Sequence, residues 1–292
     1  MSSTAANYRF YEQGSLPFIE IQNQLSKTVI SLYGGQVMNF HPHHTGEDLL
    51  WTSEKTAYQT NKAIRGGIPI CFPWFGPHAT DPTKAQHGFA RLSTWKLLQI
   101  EQLVGGETLA ILQLQDSPET RTIWPFSFTA TLKIKAGKAL TVELIIRNDD
   151  KVAFDYGDAL HTYLHIGDIQ KVELLGLHHA KYYSAFGTEL MEQENEVMQF
   201  QDEVNRRYVQ HTGLCHLIDP VLQRKITIDK SGSKVTVVWN PGEKVTQTIG
   251  DMTPHGFQTF ACVEAVNAYP GIDIITLQPG EEHCLSTTIA VS

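Results

Sequence analysis

Long hydrophobic runs are missing from these 292 residues. No apolar stretch approaches the roughly eighteen residues that span a bilayer, so no membrane-crossing helix and no membrane partner are expected. Cysteine is scarce. Cys71, Cys215, Cys262 and Cys284 lie far apart with no C-x-x-C pair, which excludes a disulfide scaffold and reads as reduced thiols in a cytosolic core. Positive charge is in deficit, 23 Lys+Arg against 31 Asp+Glu for a formal net charge of −8. A general nucleic-acid binder needs a basic face, so no nucleic-acid partner is expected. Charged residues amount to 18%, below the roughly 25% of ordinary globular chains, which excludes disorder by charge. Met1 to Ala6 has neither a basic stretch nor an apolar one, so no signal peptide is read there and the cytoplasm is the expected location. Also absent are G-x-x-x-x-G-K-[ST], a G-x-G-x-x-G opening a helix, and G-x-S-x-G. A P-loop, a dinucleotide site and a hydrolase elbow fall away with them.

What the chain has in abundance is alternation with a period of two. Phe18–Gln22, Lys27–Leu32, Leu109–Leu114, Phe128–Ile134, Leu140–Ile146, Val172–Leu175, Lys225–Ile228, Val235–Trp239 and Ile274–Leu277 are short and rich in β-branched and aromatic residues. Gly, Asp, Asn or Pro bounds most of them. Turn signals such as Ala136-Gly137-Lys138 and Asn148-Asp149-Asp150 join several. A helical stripe is nowhere convincing, although Thr188 to Phe200 has room for a helical turn. The pattern predicts an antiparallel all-β protein, either two large sheets face to face or a barrel. No linker interrupts it, so residues 1–292 read as one domain, of a length that β-rich folds reach. The stretch from Gly66 to Thr83 reads as a long loop, and its Phe72, Trp74 and Phe75 predict that it is ordered and lines something.

Thirteen histidines invite a metal reading. His178 and His179, placed on a strand, would face opposite ways. His161 and His165 have the i, i+4 spacing of helical zinc ligands, but Thr162 and Tyr163 favour a strand, where the two sit roughly 13 Å apart. No metal site and no cofactor are expected. Four stretches carry more. They are Ile64-Arg65-Gly66-Gly67-Ile68-Pro69-Ile70-Cys71-Phe72-Pro73-Trp74-Phe75-Gly76-Pro77, then Gln86-His87-Gly88-Phe89-Ala90-Arg91, then Asp158-Ala159-Leu160-His161-Thr162-Tyr163, and finally Val238-Trp239-Asn240-Pro241 with Cys262-Val263-Glu264-Ala265. Each sets an ionisable or polar group beside glycines or large apolar residues, the composition of a half-buried pocket.

Taken in this order, the strings RGGIP, FPWFGP, HGFAR and VVWNP resemble the glucose-6-phosphate 1-epimerase branch of the aldose 1-epimerase, or galactose mutarotase-like, superfamily, over nearly the whole chain. The resemblance implies a large antiparallel β-supersandwich with few short helices. It also implies interconversion of the α and β anomers of a hexose 6-phosphate without metal or cofactor. Carried over, it makes His161 the general acid and Glu264 the general base, and it places Arg65, Gln86, His87 and Arg91 against the substrate. One position departs from the family pattern. The family shows Glu-Val-Asp-Arg-x-Tyr where this chain reads Glu203-Val204-Asn205-Arg206-Arg207-Tyr208, so Asn205 keeps a hydrogen-bonding carbonyl and loses a charge. Asp202 is an alternative carboxylate, though on an extended segment it faces the other way.

The chemistry suits these groups. Ring opening needs a base at the anomeric hydroxyl and an acid at the ring oxygen, each transfer contributing roughly 10²- to 10⁴-fold. A carboxylate beside an imidazole favours imidazolium, so an ionised Glu264, a protonated His161 and a bell-shaped pH profile are expected. Arg65 and Arg91 offer forked donors that match phosphate. Trp74 or Phe75 is positioned in sequence to stack on a sugar face. The same residues admit blander roles: Arg65 and Arg91 as salt-bridge partners, Trp74 and Trp239 as core fillers, His87 as an orienting group. Two further functions stay open, a non-catalytic carbohydrate-binding domain on the same sandwich and an epimerase for unphosphorylated aldoses. A small sugar phosphate is the expected partner, and a monomer the expected state.

Overall fold

In the computed structural model the alternating segments become antiparallel sheets; residues 7–184, 187–268 and 273–292 are described. The reading of Met1 to Ala6 lies outside them. A nine-stranded sheet runs in the order Met198–Gln199, Glu173–Leu175, Cys215–Asp219, Arg224–Ser231, Glu282–Val291, Leu140–Asn148, Phe128–Ala136, Thr108–Gln115, Lys96–Gln102. Its strands show why they formed: in Thr108–Gln115 the buried Ala110, Leu112 and Leu114 alternate with partly exposed neighbours. Each buried Leu contributes about 1.5–3 kcal/mol by leaving water. A one-residue slip would turn such a row outward, so the pattern fixes the register.

The second large sheet holds the site, and its eight strands are labelled here in chain order: β1 Ile70–Cys71, β2 Asp158–Leu160, β3 Tyr163–His165, β4 Lys181–Ser184, β5 Leu190–Glu192, β6 Val204–Val209, β7 Val235–Asn240 and β8 Phe260–Asn267. In space they run β5-β4-β6-β7-β8-β2-β1, with β3 also pairing to β8. Every residue of β8 is buried. Its Ala261, Val263 and Ala265 join a core cluster that also holds Leu132, Leu144 and Leu285 of the nine-stranded sheet and extends in sequence from Ile19 to Val291. The two sheets therefore form a sandwich, with β8 covered on both faces. A four-stranded sheet (Asn7–Gln13, Leu16–Gln22, Ser26–Ser31, Gln36–Pro42) and the pair Phe154–Tyr156 with Ile275–Leu277 complete the strands. Among the described residues the helices are short, Pro118–Ile123 and Gly242–Thr246 with two 3-10 turns. None of the described helices is long and apolar enough to cross a membrane.

One expectation is corrected. Thr188 to Phe200 holds no helical turn; it supplies β5 and Met198–Gln199, because the edges of β4 and Glu173–Leu175 offer ladder partners, Met191 opposite Tyr182 and Met198 opposite Leu174. The long loop is as expected: from Gly66 to Thr83 only β1 is strand, and Phe72 within it is fully buried.

Candidate active site

Alternation decides which side chains leave the core. On β8, Cys262, Glu264 and Val266 point away from Ala261, Val263 and Ala265. On β7 the same face carries Val235, Val237 and Trp239, and on β6 it carries Asn205 and Arg207. Register then aligns these into rows. Arg207 pairs with Val237 and Val237 with Glu264, while Asn205 pairs with Trp239, Trp239 with Cys262 and Cys262 with Tyr163. His161 follows Leu160, whose partner is Ala265, so it arrives beside Glu264. Its backbone N–H donates to the Pro69 carbonyl at 3.1 Å. Phe75, Gly76, Pro77, Gln86 and His87 wall the other side, enclosing a cavity of about 460 Å³. Gly88 allows this approach: its φ is +73°, and a Cβ there would collide with the Phe72 carbonyl.

His161 Nδ1 and Glu264 Oε1 lie 3.4 Å apart, in contact but not aligned for a hydrogen bond, so Nδ1 and the second carboxylate oxygen, Oε2, have no partner. The His161 ring stacks on Tyr163 at 4.8 Å and stands edge-on to His87 at 5.7 Å and Trp239 at 5.8 Å. Burial holds the Glu264 carboxyl well above the ordinary carboxylate range. Burial first, then the charges of Arg91 and Arg65, bring His161 down to about 3. The expected imidazolium–carboxylate pair is thus corrected. The loss of water around two buried ions opposes their attraction, which favours the proton on Glu264 over His161.

The other expected residues separate into two groups. Arg65, Gln86, His87 and Asn205 line the cavity with the pair. Arg65 donates from Nε to Asp251 Oδ1 at 3.1 Å and from a terminal nitrogen to the Tyr163 hydroxyl at 3.2 Å. His87 Nδ1 accepts from the Gly76 N–H at 3.1 Å, which leaves its proton on Nε2. Burial, then the charge of Arg91, hold it well below the ordinary imidazole range. Arg91 and Trp74 are not among the lining residues. Arg91 donates to the Gln86 carbonyl at 2.6 Å and acts on the site through its charge. Trp74 donates to the Ala85 carbonyl at 3.1 Å and packs edge-on against His78; Phe75, one residue on, takes the cavity position. Asp202 precedes β6, exposed and with φ of 55°, outside the lining. Arg207 and Trp239 join the wall. The signal for Arg207 was its place two residues after Asn205 on a strand, which puts both on one face.

Histidine spacing gave no metal set, and the described residues bring one group together by another route. His161, Cys262 and Glu264 offer ligand-type atoms within 4.8 Å of one another. Burial keeps the Cys262 thiol well above its ordinary range, and a protonated thiol is a poor ligand. His178 and His179 sit in a turn rather than on a strand, rings stacked at 3.8 Å.

A family model described as Aldose 1-epimerase matches residues 17–290. A protein named "Putative glucose-6-phosphate 1-epimerase" from Escherichia coli (strain K12) is 32% identical over 262 residues, 87% of this chain and 84% of that one. One of the same name from Cenchrus ciliaris is 33% identical over 264 residues, 87% and 78% of the two chains. A solved structure described as "a putative mutarotase" from Salmonella typhimurium has a TM-score of 0.90 at 30% identity, covering 98% of this chain and 93% of that chain. A galactose mutarotase-like protein from Lactobacillus casei, 19% identical, shares the fold with a TM-score of 0.74 over 94% and 100% of the two chains.

Proposed function

The chain belongs to the aldose 1-epimerase family, and on that premise we propose that it exchanges the α and β anomers of a hexose 6-phosphate, glucose 6-phosphate foremost, with His161 and Glu264 as the proton carriers. The observation that carries this reading is the 3.4 Å contact between two buried, titratable side chains from remote parts of the sequence, both facing one cavity.

The proton count fits the reaction. In the forward half, Glu264 takes the proton of the anomeric hydroxyl while His161 gives one to the ring oxygen. The C1–O5 bond breaks, its electron pair goes to O5, and C1 becomes an aldehyde carbon. Glu264 is then protonated and His161 neutral, the state that burial favours. Rotation about C1–C2 presents the other aldehyde face, and the reverse transfers close the ring as the second anomer. The two tautomers of one shared proton are thus the two halves of the cycle, and neither half needs a proton from water. Microscopic reversibility makes each residue both acid and base over a turnover. Tyr163 stacked on His161 fixes the ring plane, and Arg65, held by Asp251, places a fixed charge nearby.

The phosphate is supported by charge. Among the described residues, the ionisable ones lining the cavity are Arg65, Arg207, His87, His161 and Glu264, and burial disfavours the charged form of the last three. The guanidiniums of Arg207 and of Arg65, the latter paired with Asp251, are then the cations among these groups in a chain of net charge −8, and cations in a cleft attract anions. The names of the sequence relatives agree. Four unpaired cysteines suit a reducing compartment, and this reading takes the cytoplasm as the location. Polarimetry on freshly dissolved α-glucose 6-phosphate tests the proposal. The protein should hasten the approach to anomeric equilibrium, and Glu264→Gln should abolish the effect. Binding without acceleration would instead make the chain a non-catalytic carbohydrate-binding module.

A further inference from the structure

Cys262 has no task in the acid–base cycle, which moves protons between a nitrogen and oxygens, yet it stands at the reacting pair. It lies two residues before Glu264 on β8, so both side chains leave the same face of the strand. His161 joins them because pairing with β8 lapses beside it. Leu160 is opposite Ala265 and Tyr163 opposite Cys262. Between them the Thr162 N–H donates back to the Leu160 carbonyl at 2.9 Å, a γ-turn centred on His161. The result is a nitrogen, a sulfur and an oxygen within 4.8 Å of one another. The thiol is fully buried, clustered with Trp51, Tyr163, Met252 and Phe260. It does not itself line the cavity, so an ion entering there meets His161 and Glu264 first.

A second observation says what the three could hold. His161 Nδ1 and Glu264 Oε2 have no hydrogen-bond partner, although the two residues are only 8% and 1% exposed. Buried charges are tolerated when they are paired or bound to a metal. The 3.4 Å between Nδ1 and Oε1 matches the edge of a tetrahedron whose ligands lie about 2.0–2.1 Å from a zinc-sized ion. A sulfur at about 2.3 Å needs roughly 3.5 Å to each of them, so the widest gap has to close by about 1.3 Å at most. Thiolate, carboxylate and neutral imidazole together balance a divalent cation and leave a neutral buried unit. Burial, then the charge of Glu264, keeps the free thiol protonated. A cation lodged among the three reverses that sign, and a coordinating thiol is deprotonated; the thiol proton and the proton shared by the pair leave to solvent. Sulfur and imidazole select soft and borderline ions, whereas magnesium and calcium take oxygen ligands.

We propose that His161, Cys262 and Glu264 form an inhibitory site for a thiophilic divalent cation of the zinc class. The bound ion takes both proton carriers as ligands, so the sugar ring can be neither opened nor closed. The inhibition rests on the mutarotase reading above; the coordination does not.

The test uses the full chain carrying Cys284→Ala, because Cys284 is exposed and would bind a soft cation by itself. Cadmium chloride is titrated into this protein and into the same protein with Cys262→Ala or Cys262→Ser. The ultraviolet charge-transfer absorption of the cadmium–thiolate bond is read alongside anomer exchange of glucose 6-phosphate. One equivalent should raise the absorption and inhibit exchange, in competition with the sugar phosphate and reversibly on adding EDTA. Cys262→Ala should remove the absorption and weaken the inhibition by at least roughly 10- to 100-fold, the loss that removing even an outer partner of a ligand causes, while the metal-free variant still exchanges anomers. Zinc chloride should inhibit in the same way and magnesium chloride should not. An absorption that never appears, an absorption that survives Cys262→Ala, or an inhibition undiminished in that variant overturns the proposal. If neither Cys262 variant folds, His161→Asn decides: it should weaken cadmium binding by the same factor, and an unchanged affinity overturns the site. Exchange untouched by bound cadmium overturns the inhibition, whereas a Cys262-dependent absorption in a protein that exchanges no sugar supports the site and removes the mutarotase reading.

Discussion

Replacing Glu264 by Gln should stabilise the protein while disabling it, by an amount that depends on pH. The side chain is 1% exposed and its Oε2 has no hydrogen-bond partner. Burial raises its pKa well above the 4.5 of a free glutamate. Below pH 4.5 folded and unfolded chains both carry the proton, and the contribution to stability is fully present. Above it the unfolded chain releases the proton and the folded chain keeps it, so folding becomes less favourable as pH rises, until the folded pKa is passed. The slope for one proton is about 1.4 kcal/mol per pH unit. Gln has no such proton, so this contribution to the slope is missing from the variant. The gap between the Glu264→Gln and wild-type stabilities should therefore widen as pH rises above 4.5, by at most about 1.4 kcal/mol per pH unit. At about 2 °C per kcal/mol for a chain of this size, that limiting slope is about 3 °C in Tm per pH unit. Paired thermal melts across that range read it directly. Parallel Tm curves would refute the claim that the folded protein keeps a proton on Glu264.

Other expectations follow from the same geometry. Asp158 is fully buried, accepts from Asn267 Nδ2 at 3.0 Å, and burial pushes its pKa up to about 8; stability should fall as pH rises from about 4 to about 8, and Asp158→Asn should flatten that slope in melts, an undiminished slope being the contrary result. In the pH dependence of kcat, which reports the bound complex rather than the free sugar phosphate, the acid limb requires a second proton on the pair. Burial and the nearby arginines resist it at His161, so activity should change less than about twofold between pH 7 and pH 5, whereas a limb centred on 6.5 would place a solvated histidine in the role. Trp239→Ala should raise KM about tenfold by removing a cavity wall edge-on to His161. Trp74→Ala should shift it less than twofold, and the reverse order in steady-state kinetics would return Trp74 to the sugar.

How much of this was legible in the chain varies with the physics of each element. Phe128–Ala136 and Leu140–Asn148 alternate because one face is buried, and Ala136-Gly137-Lys138 marks their turn; the ladder closes with Ala136 opposite Leu140. Strand β8 lacks that signal. Its Phe260-Ala261-Cys262-Val263 run is apolar throughout because both faces are covered, and in sequence it stands out only where Cys262-Val263-Glu264-Ala265 sets a carboxylate among apolar residues. The pairing of His161 with Glu264 was legible only through the resemblance, since their meeting depends on a register between β2 and β8 that no local pattern encodes. In the loop, where no period applies, the sequence had no means of choosing Phe75 over Trp74, nor of showing that Arg91 turns to the Gln86 carbonyl. The proton's location is hidden for a simpler reason: a sequence shows which charges are near in type, but the degree of burial decides whether they remain charges.

The most direct test of the acid–base pair is magnetisation transfer between the α and β H1 resonances of glucose 6-phosphate at equilibrium, with wild type, His161→Asn, Glu264→Gln and the double variant. Two groups sharing one proton act as a unit, so each single substitution should remove nearly all the enzyme-dependent exchange and the double variant should lose little more. Strong residual exchange in the double variant would show that the ring is opened by other groups, and the assignment of His161 and Glu264 would be wrong.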